Sequence, residues 1–321
     1  MPFAGFTDAD FEAYAPQKWK SNVFNRERLE VKQKLVALAR DIGIGLTAAD
    51  GSPLTIEASV EHPALWNHKQ VEAQHVYFSR NEGARKELDA IIDRQKSIAS
   101  LIDDPTPQRN HLFLVVTLTH DKSEVALKLH PDARVDRQNL ERRIADHFER
   151  EKLLRMLNRL PEPFLVGVTG GASEPAHSVD EARLQELVAQ FGAPAPRLAL
   201  PGAPQSLFYI GRIIARGEAV GAGPGFSDLA RQSLAALLPI YQFIAWSRDN
   251  DFVSMREQLQ KEKQTRRQRG LAKGDEVRIV RGVFSGKTGQ VQEVDVKGGL
   301  RVLIGKVAVK LDAEDVVAVK K

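Results

Sequence analysis

Apolar residues recur along the chain with two clear periods. Leu29, Leu35, Leu38, Ala39 and Ile42 fall at helical spacings, which predicts an amphipathic helix over roughly 26–42. Leu54, Ile56, Ala58 and Val60 alternate with polar neighbours and predict a strand with one buried face, followed by a second strand over 71–78. Ser79-Arg80-Asn81-Glu82 has capping-box spacing, so Ser79 is expected to open a helix whose stripe is Leu88, Ile91, Ile92, Ile98, Ala99 and Ile102. The turn formers at 103–107 end it. Residues 112–118 are almost continuously apolar, as in a central strand covered on both faces. Val125, Leu127 and Leu129 alternate with Glu124, Ala126 and Lys128, which predicts its antiparallel partner across a turn at 119–122. Leu140, Ile144 and Phe148 predict one helix running towards Leu160, and 164–168 predicts another strand. A second capping box, Ser178 to Glu181, opens a helix ending near Phe191. Strands and helices interleave, so an α+β sandwich is expected for residues 1–222.

Residues 217–225, rich in glycine, read as a hinge loop. Ser227 and Asp228 can then cap a helix from Leu229, and Pro239 can start or kink the next one. From Arg248 the composition turns polar and ends in Lys-Glu-Lys-Gln-Thr-Arg-Arg-Gln-Arg-Gly at 261–270. Residues 223–270 are thus expected to form a helical segment and basic connector between the front domain and a small domain at 271–321.

The small domain has the denser pattern. Val277 and Ile279 alternate with Glu276 and Arg278, and Gly282, Gly286 and Gly289 punctuate the following turn. Alternation resumes at 291–294, Lys297-Gly298-Gly299 supplies a hairpin turn, and 300–304, 307–311 and 316–319 are three more short strands. Asp312 to Asp315 offer a single helical turn before the last of them. Five strands in about fifty residues suggest a small, nearly closed barrel.

These residues closely resemble a KOW motif, and 271–321 is similar to the C-terminal domain of bacterial NusG transcription factors. The match rests on Gly274-Asp275-x-Val277-x-Ile279, on Gly282-Val283-Phe284-Ser285-Gly286-Lys287-Thr288-Gly289, and on the ending from Asp312 to Val319. Val283 stands where the family has proline, and Ile304-Gly305-Lys306 is a shortened form of the loop between the third and fourth strands. The resemblance implies an SH3-like barrel working in transcription, translation or RNA binding, with a partner surface at Phe284, Leu303, Ile304 and Lys306. Phe284 can stack on a base, fill a protein pocket, or serve as a barrel core residue. Arg278, Arg281, Lys287, Arg301 and Lys306 lie near the expected turn face, where they can contact phosphates or remain solvated.

Charge sharpens this picture. From Lys261 onward there are 15 Lys/Arg against 8 Asp/Glu, leaving 31 against 34 of the chain's 46 and 42 for the preceding 260 residues. The basic excess therefore sits in the last fifth of the 321-residue chain, where it can attract phosphate backbones. If the connector is helical, Lys263, Arg266, Arg267 and Arg269 cannot share one face, which suits non-specific phosphate contact. A disordered linker is the other reading.

Little points to chemistry. Cysteine is absent, which excludes disulfides, thiolate metal sites and a cysteine nucleophile. The eight histidines show neither His-x-x-x-His nor His-Glu-x-x-His spacing, though His111, His120 and His130 flank the predicted hairpin and can gather at one sheet edge. No Walker-type phosphate loop occurs, and Glu124 with Lys128 only loosely matches a nuclease pattern. The start of the chain lacks a signal-peptide pattern, and the apolar stretch at 229–246 is interrupted by Arg231 and Pro239, so a cytoplasmic location without membrane contact is expected. Three functional readings follow. The first is a cofactor-free, non-enzymatic factor that docks on RNA, the ribosome or RNA polymerase through its barrel. The others are an enzyme with a site in residues 1–220 and the barrel as a targeting module, and a protein–protein adaptor using the barrel rim.

Overall fold

A computed structural model describes residues 2–64, 67–92, 107–171, 173–192, 207–252, 273–280, 284–294, 299–305, 307–312 and 315–319. The chain divides into two compact units, Met1–Val253 and Ser254–Lys321.

The first unit is built on a seven-stranded antiparallel sheet. Its strands are β1 (Thr55–Ala58), β2 (Ala73–Ser79), β3 (Phe113–Thr119), β4 (Lys122–Leu129), β5 (Phe164–Val168), β6 (Ser173–Pro175) and β7 (Phe208–Ala215), in the order β1-β2-β3-β4-β7-β5-β6. Its helices are α1 (Asp8–Glu12), α2 (Asn25–Ile42), α3 (Glu82–Ile92), α4 (Arg134–Ala145), α5 (His147–Asn158), α6 (Glu181–Gly192), α7 (Arg216–Ala222) and α8 (Phe226–Ile244). Helices α2 and α8 pack on one face of the sheet. Val31, Leu35, Leu38 and Ile42 of α2 meet Leu234, Leu237, Ile240 and Ile244 of α8 over Val76, Leu114, Val116, Val125, Leu127 and Ile210. The apolar run at 112–118 has the expected cause: β3 is central, with Leu114 and Val116 under the helices and Phe113 and Val115 buried on the opposite face.

Local structure departs from expectation in several places. Asn81 rather than Ser79 caps α3, its Oδ1 accepting the Ala84 N–H at 2.9 Å, while Ser79 Oγ accepts from Arg85 instead. Asp180 likewise replaces Ser178 as the cap of α6, accepting the Arg183 N–H at 2.8 Å. Both positions sit directly before the first helical residue, where a short side chain reaches the third amide. The single helix expected over 140–160 is two, because Asp146 turns extended and caps α5, and Phe148 on the second helix is 76 % exposed. The expected hinge at 217–225 is α7 followed by a 3-10 turn at Gly223–Gly225, and the next helix starts at Phe226, ahead of Ser227 and Asp228. Pro239 lies inside α8 without ending it; losing one intrahelical bond is offset by the buried residues on both sides. Because α8 is packed into this core, the first unit continues to Val253 rather than stopping at 222. No described helix is long and apolar enough to cross a membrane.

The second unit is a five-stranded antiparallel sheet: β8 (Glu276–Ile279), β9 (Thr288–Val294), β10 (Gly299–Ile304), β11 (Val307–Asp312) and β12 (Val316–Ala318), in the order β11-β10-β9-β8-β12. Val277, Ile279, Val291, Leu300, Val302 and Val316 form its core. The near-closure expected for this unit is not reached: β11 and β12 remain the two ends of the strand order, and no pairing joins them among the described residues.

Candidate functional site

The glycine-bearing turn between β8 and β9 gathers three of the expected contact residues. Its described residues close onto β8: Gly286 N donates to Ile279 O at 2.7 Å, Ile279 N to Lys287 O at 2.8 Å, and Lys287 N to Phe284 O at 3.1 Å. Gly286 allows this by taking a φ of +88°, which side chains disfavour. Gly289 serves differently, since a Cβ there would stand 2.6 Å from Val302 Cγ1 and 2.7 Å from the Leu303 carbonyl oxygen. Only a glycine lets β9 approach β10 this closely.

Arg278 is exposed on β8 opposite Thr288, and Lys287 is the exposed residue just before Thr288, so both cations stand at the turn end of the hairpin. Phe284 is half-buried: one part packs on the small core, while Lys287 Nζ lies 5.8 Å from its ring centroid. An aromatic ring with a cation over it suits stacking on a base as well as packing inward.

The other expected residues divide. Arg301 is exposed on β10, opposite Lys310 of β11, and lies 4.0 Å from Glu293, so its charge is partly matched. Leu303 is half-buried opposite Ala308 and Gln290. Ile304 packs against the core. Arg281, Lys306, Lys263, Arg266, Arg267 and Arg269 lie outside the described residues.

The first unit does not gather its histidines. Pairing of Phe113 with Lys128 puts His111 and His130 at one end of the β3–β4 hairpin and His120 at the other, which corrects the expected three-histidine edge. Among the described residues, no group of three His, Asp or Glu is placed to hold a metal ion. His120 instead binds Asp121 through Nδ1 at 2.8 Å and lies 3.4 Å from Glu12 through Nε2. Glu12 also accepts from Arg216, and that hydrogen bond holds its carboxyl below the usual range.

The first unit holds two polar clusters, one buried and one part-buried, and the buried one escapes sequence reasoning because its members lie far apart in the chain. In the first, Arg80 Nη2 donates to Asp136 Oδ1 at 2.6 Å and Nη1 donates to His111 Nδ1 at 3.3 Å, leaving the imidazole proton on Nε2. Burial alone depresses the Arg80 guanidinium, but Asp136 and Tyr241 reverse this and leave it raised. Burial pushes the Tyr241 hydroxyl up to about 12, against the pull of the Arg80 charge. The second cluster lies on the sheet face away from α2 and α8. There Lys128 and Glu124 reach over Ala126 to bond at 2.5 Å, and His75 Nδ1 meets Thr117 Oγ1 at 2.9 Å. The Glu124–Lys128 pair is consumed by its own ion pair, so the loose nuclease pattern has no open carboxylate at this point.

A groove of about 400 Å³ between α4 and α6 is lined by Glu141, Ile144, Ala145, Gln185, Val188 and Ala189. One carboxylate among apolar and amide groups supplies no acid–base pair. The chain matches no model of a known protein family, and no curated protein sequence matches it.

Proposed function

We propose that the protein is a non-enzymatic factor associated with nucleic acid or ribonucleoprotein, and that a KOW-like, SH3-like barrel at 271–321 docks it on the transcription or translation machinery. The observation that carries this reading is the Phe284 ring with Lys287 Nζ 5.8 Å from its centroid on a glycine-bearing turn, beside the exposed Arg278 on the adjoining strand. Single-stranded nucleic acid is held by a ring that stacks on bases beside cations that track phosphates, and this turn offers both. The basic excess after Lys261 adds sequence-independent attraction.

The test is titration of the full-length protein with a single-stranded RNA of about twelve nucleotides at about 50 and 200 mM salt. Binding that weakens steeply with salt supports the reading. Binding absent at the lower salt removes the nucleic-acid arm. Co-sedimentation with ribosomes and pull-down of RNA polymerase then decide whether protein contacts alone dock the barrel, and failure of both ends the proposal.

A further inference from the structure

Helix α5 buries one face and turns the other to solvent. Arg150, Leu153, Leu157 and, just past the helix end, Leu160 are buried in the first unit. At about 100° per residue, Phe148, Lys152, Arg155 and Arg159 fall within about 60° of one another on the opposite side. All four are exposed, and Arg159 continues the helical path as the C-cap in right-handed backbone. From Phe148 to Arg159 the stripe runs about 16 Å along the axis.

Phe148 is the odd member. It is 76 % exposed, and the His147 ring meets it edge-on at 5.6 Å. A single exposed apolar residue is ordinary. The dipole at the C-terminal end of α5 also favours Arg155 and Arg159 where they stand. Neither effect places a ring in line with three cations. The stripe is positive in sum. Glu151 matches Arg155 at 3.1 Å, and Glu149, the other acid of the helix, is engaged by Arg143. Lys152 Nζ lies 5.5 Å from the Phe243 ring centroid, a contact that orients the ammonium without neutralising it.

We infer that this face of α5 is a second binding surface for single-stranded nucleic acid, Phe148 stacking on a base while Lys152, Arg155 and Arg159 follow the phosphates. The inference rests on the nucleic-acid arm of the proposed function but not on the turn at Phe284. Charge complementarity selects the occupant: a line of cations beside a free ring suits a polyanion whose bases are unpaired and can stack. A duplex keeps its bases stacked on each other and has no use for the ring.

The test is photo-cross-linking of the full-length protein to a thiouridine-bearing single-stranded RNA of about twelve nucleotides, with the linked peptides identified by mass spectrometry. Cross-links should fall on α5. Followed against RNA concentration, their yield gives the affinity of this face by itself. In Phe148→Ser that affinity should fall by about 5–150-fold with its salt dependence unchanged. In Lys152→Gln combined with Arg159→Gln, the slope of log affinity against log salt should drop by about 1.4, twice the single-strand value of about 0.7 per phosphate contact. The three side chains are exposed, so thermal unfolding of the variants should match wild type. Cross-links on α5 with none between β8 and β9 support this inference and count against the turn. Cross-links confined to the turn overturn it and leave the proposed function standing. Cross-links on α5 that both variants retain at full strength overturn it as well. So does binding of the wild type to phosphatidylserine vesicles that the same variants abolish, with no α5 cross-link to RNA.

Discussion

Arg80 and Asp136 meet at 2.6 Å with side chains 3 % and 0 % exposed. The same carboxylate accepts the Leu112 N–H through Oδ2 and the Trp246 N–H through Oδ1, both at 2.8 Å. One side chain on α4 therefore ties the end of β2, the entry to β3 and the exit of α8. Asp136→Ala should cost about 3–5 kcal/mol, since it strands a buried guanidinium and two buried amides. Replacing both partners, Arg80→Met with Asp136→Leu, should recover a large part of that loss. Urea denaturation of the three proteins checks the order; a single change costing under about 1 kcal/mol would mean that the pair is not holding these elements together.

The chain leaving α8 is held by a second buried device. Asn250 Nδ2 is shared among the carbonyls of Gln242, Phe243 and Ala245, at 3.1, 3.1 and 2.7 Å, where the helix end would otherwise leave them unsatisfied. Arg143 lies 4.0 Å from the ring centroids of both Phe243 and Phe252 and donates to Asn250 Oδ1. Asn250→Ala should lower stability by about 1–3 kcal/mol. Hydrogen exchange should localise the change, speeding the Ala245 amide that bonds Tyr241 O more than amides in β3.

His75 gives the fold an acid-side sensitivity. Burial, and then the nearby Lys128 charge, pull its pKa down to about 3. In the unfolded chain an imidazole titrates near 6.5, so between these values the unfolded state holds the extra proton. The stability that depends on neutral His75 is complete above about 6.5 and is lost as pH falls towards about 3, by at most about 1.4 kcal/mol per pH unit. His75→Gln keeps a group able to bond Thr117 and removes the titration. Between pH 6.5 and 5, above the usual carboxylate range, the wild type should lose stability faster than the variant. Parallel slopes would show that His75 is solvated enough to take its proton in place.

How far the sequence foretold this molecule depends on the range of the interactions involved. Helix α2, strands β2 to β5 and the five strands of the small sheet follow from alternation and helical stripes, because each is amphipathic by itself or fully apolar. Gly286 and Gly289 were legible too, one needing positive φ and the other close strand approach. Strand β7 has no clean period in the sequence although Phe208, Tyr209, Ile210, Ile213 and Ile214 are apolar; Gly211 and Arg212 interrupt it, and only the pairing with β4 and β5 explains them. Gly211 is there because a Cβ would fall 2.5 Å from that of Ala126. At the candidate site, sequence named Arg278, Phe284 and Lys287 but also Ile304, whose inward packing follows from strand parity on β10. The Arg80–Asp136 pair, 56 residues apart, has no local signature at all.

Under the proposed function, Phe284 and Lys287 separate base stacking from phosphate contact at the turn between β8 and β9. If the proposed RNA contact lies at this turn, Lys287→Ala removes one phosphate contact, so RNA affinity should fall modestly and the slope of log affinity against log salt should drop by about 0.7. Phe284→Leu keeps an apolar side chain against the core but deletes the ring. If a base stacks there, affinity should fall by about 5–150-fold with the salt slope unchanged, the range set by about 1–3 kcal/mol per stacked base. Thermal unfolding of both variants alongside wild type shows whether the small core has survived. RNA affinity unchanged in Phe284→Leu, with the core intact, assigns Phe284 to packing alone and leaves Arg278 and Lys287 as phosphate contacts without base stacking. Affinity unchanged in both variants moves any nucleic-acid contact away from this turn.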